Sequence, residues 1–214
     1  MIFGTQNTGL DQLLFPLLGD VYNWGKTYIQ RMTRPGMYEV LNYETNLEIL
    51  DDKGENAVLR KSEQVRFLQN NIIAYQDQAW GDGKILIDYQ CSPGYPVDFY
   101  RSGYKTFILI SLRGVKNKGD ISNFKIKWGI KNGFLKGQGF WTTDINHQTS
   151  KIKVEVVFPE NRPPRIVSMI ESNTKRIDGI NRDVITQLPD KRWLVSWEKE
   201  NPRLNEQYIL KWEW

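Results

Sequence analysis

Three stretches of this chain alternate apolar and polar residues with a period of two, and that alternation limits the fold more than any other feature. Phe124, Ile126, Trp128 and Ile130 alternate with Lys125, Lys127 and Lys131; Ile152, Val154, Val156 and Phe158 with Lys153 and Glu155; Tyr208, Leu210, Trp212 and Trp214 with Lys211 and Glu213. Successive side chains of a strand point to opposite faces, so each stretch reads as a strand with one face in a core and one in water. Further strands are predicted over 38–50, 57–69, 72–79, 84–91, 104–113, 139–145, 165–171, 183–188 and 192–198, between turn signals such as Asp51-Asp52-Lys53-Gly54 and Gly81-Asp82-Gly83. The second of these turns has the glycines that a tight hairpin needs for positive φ values. With 8 Trp, 10 Tyr and 9 Phe the chain is rich in residues that suit pleated, half-buried surfaces. The expected fold is mainly β, an antiparallel β-sandwich or irregular barrel of about ten to twelve strands with one N-terminal amphipathic helix.

The helix is expected because Leu10, Leu13, Leu14, Leu17, Leu18, Val21, Tyr22, Tyr28 and Ile29 fall at the three-and-four spacing of one helical face. Thr8 and Asp11 suit its start, Pro16 kinks or splits it, and Arg34-Pro35-Gly36 ends it. Residues 1–36 thus read as an amphipathic helical segment and 37–214 as a single all-β domain, because no long Ser, Gly or Pro-rich linker interrupts the strands. An apolar stripe carrying Leu14, Leu17, Leu18, Val21, Trp24 and Tyr28 needs a cover, either an open end or face of the sheets or, as the assembly reading has it, self-association or a protein partner.

Hydrophobic residues at 40% suffice for a core, and charged residues at 25% keep the chain far from the composition of disordered segments. One cysteine, Cys91, excludes an intramolecular disulfide, and the first residues lack a charged n-region followed by an apolar h-region. A cytoplasmic setting is the resulting expectation. No run approaches the roughly 20 apolar residues of a spanning helix, so no integral membrane span is expected. One Cys and one His cannot supply a structural zinc site, and Gly133 to Gly139 precede no helix that would present a phosphate-binding N-terminus. No cofactor and no metal are expected.

Charge supplies the functional reading. Residues 113–153 hold nine basic side chains against Asp120 and Asp144. Lys125, Lys127 and Lys131, and separately Lys151 and Lys153, fall on the outward phase of their strands, a basic stripe suited to phosphates or an acidic partner, or simply a solvated sheet face. Arg162, Arg165 and Arg203 lie in proline-bearing connections and can make bidentate contacts with carboxylates or phosphates. Cys91 and His147 are the only thiol and imidazole, so a cysteine-nucleophile mechanism needs these two in contact, with Asp144 or Asp98 orienting the imidazole. A hydrolase-like enzyme needs two of Asp77, Asp82, Asp88, Asp98 and Asp144 to converge. With no complete catalytic motif, the favoured function is a non-enzymatic binding or interaction module. Its basic face engages an anionic partner, nucleic acid or another polyanion among them, and its helix mediates assembly. The alternatives are the hydrolase-like enzyme and a structural subunit of a larger assembly.

Overall fold

The computed structural model describes residues 36–179 and 184–214. The predicted N-terminal helix, with Leu14, Leu17, Leu18, Val21, Trp24 and Tyr28, lies outside the described residues. The strands are β1 (Tyr38–Ile49), β2 (Asn56–Phe67), β3 (Ile72–Ala79), β4 (Lys84–Ser92), β5 (Tyr95–Ser102), β6 (Lys105–Lys116) and β7 (Ile121–Lys131). They continue with β8 (Gln138–Asp144), β9 (Lys151–Phe158), β10 (Ile166–Glu171), β11 (Arg176–Gly179), β12 (Ile185–Gln187), β13 (Trp193–Glu200) and β14 (Gln207–Glu213).

These strands form a seven-stranded sheet in the order β12-β13-β9-β1-β2-β7-β4, a four-stranded sheet β11-β10-β14-β8 and a three-stranded sheet β3-β6-β5. The mainly β expectation holds, with three corrections. The sheets keep open edges, so there is no closed barrel among the described residues. The arrangement is not purely antiparallel, because β1 and β9 run parallel, Leu47 opposite Val156. And the described residues hold fourteen strands, since sequence reading passed over β5 and β11. Both are edge strands: β5 carries Pro96, which cannot donate to a ladder, and all four residues of β11 are exposed, so neither shows a buried phase.

The two smaller sheets cover one face of the large one. Phe124, Leu59, Leu47, Val154, Val156 and Val195 turn inward from β7, β2, β1, β9 and β13 and are almost fully buried. Tyr75 of β3 stacks on Phe124 with centroids 4.0 Å apart, while Trp212 of β14 meets Phe158 at 5.4 Å and Tyr208 meets Trp197 at 5.5 Å. An ion pair between Lys105 of β6 and Asp144 of β8 links the two smaller sheets. Another joins Lys199 of β13 to Glu171 of β10, and the Lys199 hydrogen bond, against some burial, holds the Glu171 carboxyl below its ordinary range. A depressed carboxyl adds stability that is present above the unfolded-state pKa and lost as pH falls through the folded value. Glu171→Gln is therefore expected to flatten the acid limb of stability against pH, read from urea melts between about pH 3 and 6.

Local chemistry sets the connections. Asp51 caps the β1–β2 turn, its carboxylate accepting from the backbone N–H of Lys53, Glu55 and Asn56. Gly81-Asp82-Gly83 has the positive φ values expected of it, 156° and 75°. It is not a hairpin, however: β3 pairs with β6 and β4 with β7, so this turn carries the chain from the three-stranded sheet to the seven-stranded one. A Cβ on Gly83 would lie 2.2 Å from the Lys131 carbonyl oxygen, so only glycine fits there.

Candidate functional site

The face of the seven-stranded sheet turned away from the core carries two adjacent rungs of polar side chains. Register places Ser92, Lys125, Ser62, Glu44, Lys153 and Glu198 across β4, β7, β2, β1, β9 and β13 in one rung. The next holds Gln90, Lys127, Arg60, Asn46, Glu155 and Ser196 in the same strand order. The members of these rungs from β4, β7, β2, β1 and β9 line a concavity of about 520 Å3, within the range of ligand pockets of roughly 300–1,000 Å3.

Charge is segregated along the rungs. On the β1, β9 and β13 side the cations are neutralised: Lys153 lies 2.7 Å from Glu155, and Lys151 lies 3.0 Å from Glu198 and 3.2 Å from Glu200. The Lys153 and Glu155 pair holds each group in its charged form, Lys153 up through the hydrogen bond and Glu155 down despite its partial burial. On the β7 side Lys125 and Lys127 are exposed and have no ion-pair partner among the described residues, and Lys127 stands beside Arg60 in the register. Arg60 turns to Glu48 at 2.6 Å. Like charges opposite one another on neighbouring strands repel. Of the five lysines expected in the basic stripe, Lys125 and Lys127 lie together in the concavity, Lys131 is exposed four residues further along β7, and Lys151 and Lys153 pair with glutamates.

The arginine loops do not form one site. Lys151 opposes Glu200 and Phe158 opposes Trp193, so the β9–β10 loop and the β13–β14 loop sit at opposite ends of these eight-residue strands, about 25 Å apart at strand rise. Arg162 is committed internally. Its guanidinium donates to the carbonyls of Phe134 (3.1 Å) and Lys136 (2.9 Å) and lies 3.7 Å over the Trp214 ring. Arg165 and Arg203 are exposed.

Cys91 and His147 do not meet. Cys91 and Val40, which bonds the His147 loop through Gln148, stand on β4 and β1, three strand spacings or about 14 Å apart. His147 instead stacks against Tyr38 at 4.1 Å. Burial pushes the Cys91 thiol up and His147 down, opposite to what a thiolate–imidazolium pair requires. The aspartates disperse to separate partners: Asp82 to Lys136, Asp144 to Lys105 and Gln207, Asp77 to Lys61 and Tyr89.

Beneath the rungs, on the inner face, sequence reasoning missed a buried charge cluster. Lys61 and Glu63 occupy the same strand phase as Leu59, Val65 and Phe67, and that pair of charges on an apolar phase is the signal that marks it. Lys61 Nζ lies 3.0 Å from Glu63 Oε1 and donates to Asp77 Oδ1 of β3. Tyr75 donates to Glu63, Tyr89 donates to Asp77 Oδ2 at 2.9 Å, and the Gln78 N–H donates to Asp77 Oδ1 at 2.8 Å. Side-chain exposure is 6% for Lys61, 7% for Glu63 and 0% for Asp77. Burial, opposed by Lys61, raises the Asp77 carboxyl above its usual range. Lys61 is held well above its own because the Asp77 and Glu63 charges outweigh its desolvation. Desolvation likewise keeps the Tyr38, Tyr43, Tyr75 and Tyr89 hydroxyls protonated.

No known protein family and no curated protein matches the chain in sequence. Solved structures share the fold. A putative protease from Parabacteroides distasonis is 10% identical with a TM-score of 0.50, covering 85% of this chain and 41% of its own. A mutant M1 zinc metallopeptidase from Deinococcus radiodurans is 8% identical with a TM-score of 0.50, covering 81% of this chain and 42% of its own. The chain therefore corresponds to about two-fifths of the length of each. Among the described residues no helix is long and apolar enough to cross a membrane.

Proposed function

We propose that this chain is a non-enzymatic binding module that holds a polyanion across the outer face of the seven-stranded sheet. The observation that carries the reading is the pair Lys125 and Lys127. They are exposed, unneutralised among the described residues, set beside Arg60 and flanked by Ser62, Ser92 and Gln90 in one concavity. Two ammonium groups about 7 Å apart on one strand face match the repeat of a phosphate backbone, and hydroxyl and amide neighbours supply further hydrogen bonds to phosphate oxygens. The N-terminal segment serves as the assembly element of the same module.

A labelled single-stranded oligonucleotide at low salt is the probe. Wild type is expected to bind, and Lys125→Gln/Lys127→Gln to bind more weakly, with the slope of log K against log salt reduced by about 1.4 for two lost phosphate contacts. Lys118→Gln/Lys175→Gln removes the same charge elsewhere and is expected to stay near wild type. Absence of wild-type binding, or an equal loss in the second variant, would sink the reading.

The fold likeness favours a second reading, a structural part of a larger assembly. Its supporting observation is the edge strand β5, where Tyr95, Val97 and Phe99 are exposed at 53%, 51% and 48%. The peptidase chemistry of the similar structures does not follow: a His-Glu-x-x-His zinc motif needs two histidines, and these 214 residues contain one.

A further inference from the structure

We propose that Lys61 and Asp77 condense into an intramolecular amide that bolts β2 of the seven-stranded sheet to β3 of the three-stranded sheet, with Glu63 carrying the proton. The geometry is that of a preassembled condensation site. A primary amine touches a carboxyl group, a second carboxylate sits 3.0 Å from the same nitrogen, and all three side chains are shut away from water. Tyr38, Tyr75 and Phe124 wall the site, the first two rings 5.3 Å apart and the last two stacked at 4.0 Å. Holding reactants in contact replaces a bimolecular encounter, worth effective molarities of about 10⁵–10⁸ M.

The steps balance without an added reagent. The Lys61 ammonium gives one proton to the Glu63 carboxylate. Neutral Nζ attacks Cγ of Asp77 in its protonated form, the form toward which burial, opposed by Lys61, shifts this carboxyl. The Tyr89 hydroxyl, 2.9 Å from Oδ2, stabilises the oxygen on which negative charge develops. The Cγ–Oδ1 bond breaks, and Oδ1 leaves as water, taking one proton from Nζ besides its own. The products are an amide N–H, a neutral Glu63 and one water, with no change of oxidation state. Two buried charges disappear, which removes the desolvation cost of holding them in the core. Lys105 and Asp144 also touch, but the other group near Lys105 Nζ is the Gln78 amide oxygen at 3.5 Å and not a carboxylate, so that pair stays ionic.

Intact-mass spectrometry of the denatured full chain tests this. Wild type is expected to be lighter than its sequence by one water, about 18 Da. Trypsin is expected to release residues 61–66 joined to residues 67–84, because amidation blocks cleavage after Lys61 while Arg66 is still cut. Lys61→Arg and Glu63→Gln are expected to show the full sequence mass. A wild-type chain of full mass overturns the proposal whether or not the variants fold. So does a loss of water that persists in Lys61→Arg, which places the dehydration elsewhere, for example as a succinimide at Asp82-Gly83.

Discussion

Lys61→Met is expected to destabilise the protein by about 3–5 kcal/mol, because it leaves Glu63 and Asp77 facing each other in the core with no cation between them. Burial charges the full desolvation cost to an unpaired carboxylate, whereas in the wild type Lys61 offsets it for both. For a chain of this size the loss corresponds to a fall in melting temperature of about 6–20 °C. The complementary variant separates charge from packing. Lys61→Met combined with Glu63→Gln and Asp77→Leu removes every formal charge from the cluster and is expected to recover most of the loss, since apolar or neutral replacements of a buried ionic group are often neutral to stability. A Lys61→Met protein that melts like wild type would show that the cluster is solvated in solution. The first experiment holds whether or not Lys61 and Asp77 are joined in the wild type, because the variant lacks both the cation and the amine.

Deletion of Leu210 to Trp214 is expected to abolish cooperative unfolding altogether. β14 is one of the two inner strands of the four-stranded sheet: Trp212 opposes Val167 of β10 on one side and Gly139 of β8 on the other, and Leu210 opposes Met169 and Trp141. Removing it takes away the ladders of two neighbours at once and the largest fully buried side chain, Trp212, at 1% exposure. The fit is specific. A Cβ on Gly139 would lie 2.5 Å from the Trp212 indole, so β8 has a glycine where the indole passes. Trp212→Ala alone is expected to cost about 3–5 kcal/mol, the usual range for an aromatic truncated in a core. Thermal melts followed by near-ultraviolet circular dichroism check both, and a truncated chain that still melts cooperatively would show that the four-stranded sheet is dispensable.

The expected loss of oligonucleotide binding in Lys125→Gln/Lys127→Gln rests on a different face and leaves these stabilities untouched. Both lysines are exposed on β7, and their alternation partners Phe124, Ile126 and Trp128 hold the strand in place. Binding and folding can therefore be read independently in one set of variants.

Much of the fold was legible because strand formation leaves a local record. Apolar patterning and turn signals marked β1 to β4, β6 to β10 and β12 to β14 within a few residues, and all of these but β4 and β12 place buried residues in a core. The strand at the carboxyl end was expected to bury one face, and Tyr208, Leu210 and Trp212 are each 1% exposed. β5 was passed over although Tyr95, Val97 and Phe99 alternate along it, and the four exposed residues of β11 keep no apolar phase. In the candidate site, the outward phase of Lys125, Lys127, Lys131, Lys151 and Lys153 was correctly read, but phase does not say which anion stands on the neighbouring strand. Glu198 and Glu200 of β13 neutralise Lys151 across a pairing far apart in sequence, while Glu155 neutralises Lys153 from the same face of β9.

What the sequence determined by itself, then, is everything governed by near neighbours: the β class, the strand phases, the turn at Asp51 and the positive-φ glycines around Asp82. What only the tertiary structure decided depends on contacts between distant segments. These include the parallel join of β1 to β9, the crossover where a hairpin was expected, the separation of Arg162 from Arg203 and the meeting of Lys61 with Asp77 between two sheets. The physical reason is that alternation constrains one strand's faces, while sheet order and sheet packing are chosen by the fit of whole surfaces, which no single segment contains.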